Sequence, residues 1–143
     1  MNSSGWLMTD DDLKHILETT RTIATVGLSG NPDKPSYDVA RYLIRNGYRV
    51  IPVNPTTHEV LGEKAYPDLA SIPERVDVVQ IFRPSEAVPP FVEQAIAIGA
   101  KAVWMQEGIL NEAAADRARA AGLAVVMDRC MKKIHQRLIK GET

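Results

Sequence analysis

Five short apolar runs recur along this chain, each followed by glycine, proline or another polar breaker, and a stretch with helical periodicity follows all but one of them. The runs span residues 23–26, 49–53, 77–82, 101–105 and 123–127. They are nearly continuous rather than alternating, the pattern of strands buried on both faces. The helical stretches span 36–46, 85–98, 111–121 and 129–139. Their apolar stripes are Val39, Ala40, Leu43 and Ile44; Val88, Phe91, Val92, Ala95 and Ile96; Leu110, Ala114, Ala118 and Ala121; and Met131, Ile134 and Leu138. Ser36 is the expected N-cap of the first, and Pro89 and Pro90 fit only the first turn of the second. Gly47, Gly99 and Gly122 stand where helix C-termini need a left-handed residue. An additional helix is expected over 9–21, opened by Thr9 and three aspartates. Residues 56–75 read as irregular, with a short helix around 68–72. Strand and helix alternating in this way predict a parallel, doubly wound α/β sheet of five strands with helices on both faces, in one domain of 143 residues.

Composition narrows the function. A net charge of −1 gives no electrostatic reason to expect nucleic acid or an anionic membrane. No apolar run approaches the length of a membrane span, the N-terminus lacks a signal-peptide pattern, and Cys130 is the only cysteine. These features predict a cytoplasmic protein. His15, His58 and His135 are too far apart to form a recognised metal motif with Cys130. No G-x-S-x-G elbow occurs. No catalytic constellation emerges.

In a doubly wound sheet, ligands bind beyond the carboxyl ends of the strands. Here those ends are 27–31, 53–55, 82–84, 105–108 and 128–130. The first follows a strand–glycine turn–helix order suited to phosphate. It reads Gly27-Leu28-Ser29-Gly30-Asn31-Pro32-Asp33-Lys34-Pro35, without the third glycine of G-x-G-x-x-G. The loop is long enough to wrap a ligand, Ser29 offers a hydroxyl and Lys34 a charge; the plain alternative is a long connection. At the second strand end, Asn54-Pro55 stands where NAD-binding folds place an acid. NADP and coenzyme A both remain admissible. Phe82-Arg83-Pro84 brings a cation and apolar surface to the third; Arg83 can stack on a base, pair with phosphate or simply face water. Trp104 and Met105 read as core, while Gln106-Glu107-Gly108 is either a turn or a contact with the rest of the ligand. Cys130, near the start of the last helix, is a small buried residue or a thiol able to pair with a thiol ligand.

The motifs taken in order resemble the small stand-alone CoA-binding proteins, whose Rossmann-like fold is similar to the CoA-binding domain of the succinyl-CoA synthetase alpha subunit. The resemblance covers residues 9–140. It rests on Val-Gly-Leu-Ser-Gly-Asn-Pro (26–32), Val-Ile-Pro-Val-Asn-Pro (50–55) and Val-Leu-Gly-Glu-Lys-Ala-Tyr-Pro-Asp-Leu (60–69). It continues through Asp-Val-Val-Gln-Ile-Phe-Arg-Pro (77–84), Val-Trp-Met-Gln-Glu-Gly-Ile (103–109) and Asp-Arg-Cys-Met-Lys (128–132). Gly27 belongs to the glycine turn read as a phosphate site; the resemblance implies that Ser29, Gly30, Asn31 and Pro32 hold phosphates and that Asn54 and Pro55 lie beside the ribose. It places Phe82, Arg83 and Pro84 at the adenine edge, and Met105, Gln106, Glu107 and Gly108 in a further contact segment. Thr56 and Thr57 stand where the synthetase pattern has a basic residue, which leaves Lys34 to supply that charge. The synthetase's phosphorylated histidine belongs to a second domain, so ligase activity is not implied. The expectation is non-catalytic binding of coenzyme A or an acyl-CoA, with no protein partner indicated. The alternatives are a small NADP-dependent oxidoreductase and a redox protein forming a Cys130–CoA mixed disulfide.

Overall fold

The computed structural model describes residues 8–142. Helices are α1 (Asp10–Thr19), α2 (Pro35–Arg45), α3 (Val88–Ala97), α4 (Glu112–Ala120) and α5 (Met131–Leu138). Strands are β1 (Thr22–Val26), β2 (Arg49–Val53), β3 (Glu59–Val60), β4 (Glu63–Lys64), β5 (Val78–Ile81), β6 (Ala102–Met105) and β7 (Ala124–Val126). Five of them form a parallel sheet in the order β2-β1-β5-β6-β7. The chain steps one way from β1 to β2, then crosses back to β5. The switch point therefore lies between β1 and β5, and their carboxyl ends diverge there.

Two apolar layers sandwich the sheet. Val88, Val92 and Ala95 of α3 and Ala114, Ala115 and Ala118 of α4 pack with Ala24, Val79 and Val103. Leu13 and Leu17 of α1, Leu43 of α2 and Met131 and Ile134 of α5 pack with Ile23, Val78 and Trp104. Covering both faces is what lets the strand sequences be apolar throughout. At the amino end of the sheet, the Asp77 carboxylate accepts the N–H groups of Arg21 (2.9 Å) and Thr22 (3.1 Å), with Lys101 Nζ at 3.5 Å. Burial pushes its pKa up, but these donors outweigh that and hold it below the usual carboxylate range. The acid thus ties the start of β5 to that of β1.

The structure departs from expectation in four places. Ser36 does not cap α2: Lys34 occupies the N-cap position and Ser36 lies in the first turn, 4% exposed, with its hydroxyl turned to the preceding loop. Residues 59–64 form a small antiparallel hairpin, β3–β4, around Leu61 and Gly62, both at positive φ. Residues 68–72 are not helical; Asp68 Oδ1 accepts the Ser71 N–H and hydroxyl at 2.9 and 2.6 Å and closes a turn instead. Leu110 (47% exposed) and Ala121 lie outside the core, because α4 begins at Glu112 with Asn111 as its cap. Among the described residues no helix is long and apolar enough to cross a membrane.

Candidate functional site

The loop from Gly27 to Lys34 is folded on itself. Gly27 has φ +82° and donates to Val53 O at 2.9 Å. Ser36 Oγ accepts the Ser29 N–H at 3.0 Å, and Ser29 Oγ accepts the Asn31 N–H at 3.0 Å. Asn31 takes the Asp33 N–H on its side chain (2.9 Å) and the Lys34 N–H on its carbonyl (3.0 Å). The N–H groups of Ser29, Asn31, Asp33 and Lys34 are therefore occupied within the loop or its following helix. Gly30 N–H has no partner among the described residues, and a methyl group at Gly30 would meet nothing within 4 Å. The Ser29 hydroxyl accepts one bond and keeps its own proton to donate. The result is a rigid turn with a few outward donors rather than a ring of them.

Asn54 also differs from the expected ribose contact. Its Nδ2 donates to Leu28 O at 3.1 Å, and its Oδ1 accepts the Thr56 N–H and hydroxyl at 2.9 and 2.8 Å. Its amide straps the second strand end to the first loop.

Two clefts open along the carboxyl edge of the sheet. The first, about 480 Å³, is bounded by Gly27, Ser29, Asn54, Pro55 and Arg83. Thr56, Pro67 and Phe91 also line it, none of them marked as a site residue by the sequence pattern. Phe91, on the apolar stripe of α3, packs against the core and is partly buried, with one edge on this cleft. Among the described residues Arg83 is the only charged side chain lining this cleft, and it is exposed without an ion partner.

The second cleft, about 600 Å³, is walled by Pro35, Val39, Phe82, Ile109, Gln106 and Cys130. Two ion pairs stand at it: Lys132–Asp38 at 2.8 Å and Lys133–Glu107 at 2.9 Å. The hydrogen bond from Lys132 holds Asp38 below the usual carboxylate range, and that to Glu107 raises Lys133. The four charges cancel, so this cleft has apolar walls and a neutral rim. Cys130 is 9% exposed and packs in the same cluster as Trp104, Met131 and Ile134, with one edge on the cleft.

The remaining expected residues fall outside both clefts. Met105 is fully buried in the α3/α4 layer, so its side chain has no surface to offer a ligand. Gly108 is at φ +85° and donates its N–H to Asp128 Oδ1 at 2.6 Å, which pins the turn. Pro84 starts a short 3-10 turn over Ser85–Ala87. Gly30, Asn31, Pro32 and Lys34 form the exposed outer arc of the loop.

Comparison with known proteins matches this geometry to a family. Residues 21–136 fit the model of the CoA binding domain. The Bacillus subtilis (strain 168) protein YneT is 40% identical over 124 residues, covering 87% of this chain and 92% of its own length. A hypothetical protein from Pyrococcus horikoshii OT3 superposes with a TM-score of 0.90 at 44% identity, covering 92% of each chain. The ADP-forming acetate–CoA ligase II of Archaeoglobus fulgidus is 32% identical over 95 residues, which span 64% of this chain and 14% of that enzyme. With most of its length matched, the chain belongs to the CoA binding domain family.

Proposed function

We propose that this protein binds coenzyme A, or an acyl thioester of it, without catalysing a reaction. The observation that carries the reading is the preformed loop of Gly27 to Lys34 beside a cleft whose one charged side chain among the described residues is Arg83. Such a cleft suits a flat, apolar base with phosphate beside it. The Ser29 hydroxyl, the Gly30 N–H and the Lys34 ammonium are the donors for phosphate. The second cleft, lined by Phe82, has room and apolar walls for the arm of the ligand. No hydroxyl or thiol in either cleft is hydrogen-bonded to a histidine among the described residues, which favours binding over nucleophilic catalysis.

Calorimetry with CoA and dephospho-CoA tests the reading. Micromolar binding of CoA is expected; no heat from either ligand at high micromolar concentration refutes it. Lys34→Ala should weaken CoA binding and flatten its salt dependence. NADPH fluorescence should be unchanged on mixing, and an enhancement would favour an oxidoreductase instead.

A further inference from the structure

We infer that Gln106 presents a fixed hydrogen-bond donor to the second cleft, and that the ligand group it takes is a carbonyl oxygen of an amide or thioester. The argument begins at a backbone atom. Met131 N–H, at the start of α5, points at the Gln106 side chain with a separation of 3.0 Å. A backbone N–H can only donate, so the atom facing it is the amide oxygen. Gln80 approaches the same oxygen at 3.0 Å and must do so with its Nε2. Gln80 Oε1 is thereby turned to Thr25, whose hydroxyl donates to it at 2.8 Å. All three side chains are buried: Thr25 and Gln80 are 0% exposed and Gln106 is 4% exposed. One donor of known polarity thus fixes the direction of the whole chain across β1, β5 and the end of β6. Flipping Gln106 would set its amino group against the Met131 N–H, which can only donate, even if Gln80 and Thr25 reversed with it.

With both lone pairs of its oxygen engaged, Gln106 can act on a ligand only through Nε2. That nitrogen has no partner among the described residues, whereas every fully buried side-chain polar atom there has one. It therefore reaches the cleft that Gln106 lines, between Phe82 and Cys130. A group that can only donate selects an acceptor. This rests on the coenzyme A reading, in which the acceptors entering that cleft are the amide carbonyls of the arm and, when acylated, the thioester carbonyl. Gln106 is then a binding residue for the arm, and the remaining members of the chain are positioning residues.

Gln106→Glu tests this with little disturbance. The variant keeps an oxygen for Met131 N–H and Gln80, where a carboxylate at a helix N-terminus is well tolerated, and replaces only the outward amino group. CoA and 3′,5′-ADP, which lacks the arm, are titrated against both proteins from about pH 5 to pH 8, a range chosen to span an upward-shifted carboxyl pKa. CoA should bind the variant about tenfold more weakly at neutral pH, the scale of one lost hydrogen bond made against a repelling oxygen. The deficit should narrow as pH falls and the carboxyl gains a proton to donate, and 3′,5′-ADP should bind both proteins alike. Equal CoA affinities throughout, or equal losses for both ligands, overturn the inference. In the unaltered protein, the Gln106 side-chain N–H₂ resonances should shift with CoA and not with 3′,5′-ADP; no shift with CoA overturns it even where the variant does not fold. Wild-type protein that binds neither ligand refutes the coenzyme A reading itself, and this inference with it.

Discussion

Gly27→Ala and Gly30→Ala change the same residue type in the same loop, yet they should behave in opposite ways. Gly27 sits at φ +82°, and a Cβ there would lie 2.6 Å from the carbonyl oxygen of Phe82 and 3.1 Å from Arg83 Cδ. The first neighbour is backbone of the adjoining strand end and cannot swing aside. Left-handed backbone in a residue with a Cβ costs about 1–2 kcal/mol. Forcing apart a close contact adds about 1–3 kcal/mol. The sum is about 2–5 kcal/mol, a large part of the roughly 5–15 kcal/mol that holds a domain together. With about 2.1 cal/mol/K of unfolding entropy per residue over 143 residues, each kcal/mol shifts Tm by about 3 °C. Gly27→Ala should therefore melt about 7–17 °C lower than wild type. Gly30 is not at positive φ and faces open space, so Gly30→Ala should change stability by less than about 0.5 kcal/mol. Its effect should appear instead as weaker CoA binding, because the methyl group occupies space beside a free N–H. Thermal melts and urea titrations measure the first effect, calorimetry the second. A Gly27→Ala melting point within about 3 °C of wild type, or equal losses for the two variants, would refute the close-approach argument.

Two further outcomes follow from the same geometry. Ser36→Ala leaves the Ser29 N–H without its partner; stability should fall by about 1 kcal/mol, amide exchange over residues 28–31 should quicken in the free protein, and CoA should restore protection at a cost in affinity. Unchanged exchange would show that Ser36 does not hold the loop. His135 is 3% exposed, hydrogen-bonded through Nδ1 to Tyr42 at 2.7 Å and edge-on to Tyr42 and Tyr48. Burial, then the charge of Lys140, lowers its pKa against the opposing pull of Glu142. The unfolded chain therefore takes up that proton first as pH falls below about 6.5, so the contribution is present above that pH and is lost as pH drops through the folded value. His135→Gln should flatten the slope of urea stability against pH in that window, and an unaltered slope would exclude His135 as its source.

The main strands were legible because burial on both faces leaves an uninterrupted apolar signature in each. The hairpin of 59–64 was not, since its turn uses Leu61 at positive φ where asparagine or glycine is the usual signal. Within the site, residue types were easier to read than their bonds. Ser36 and Asn54 were recognised as polar groups at the right strand and helix ends, but each is used to hold the loop, through contacts of 3.0 and 3.1 Å across 7 and 26 residues of chain. Spacing alone does not distinguish a hydroxyl that caps its own helix from one that reaches back to a loop. One signal was present and unread. Gln80 stands in the buried run Val78-Val79-Gln80-Ile81, and a buried amide must have partners. Following it leads to Thr25 and Gln106, and so to the wall of the second cleft.

Edge strand β2 carries Pro52, which has no N–H to give an outside chain. On the same strand, Tyr66 N–H donates to Pro52 O at 3.0 Å and Tyr66 O accepts the Asn54 N–H at 2.9 Å. The segment that returns past the hairpin thus covers the Pro52 carbonyl and the Asn54 N–H, two of the groups through which this edge would recruit another strand. The opposite edge, β7, is only three residues long. A parallel sheet bordered in this way offers little template for strand-by-strand growth into aggregates. Edge pairing is thus restrained on both sides of the sheet, while the carboxyl ends of its strands carry the two clefts.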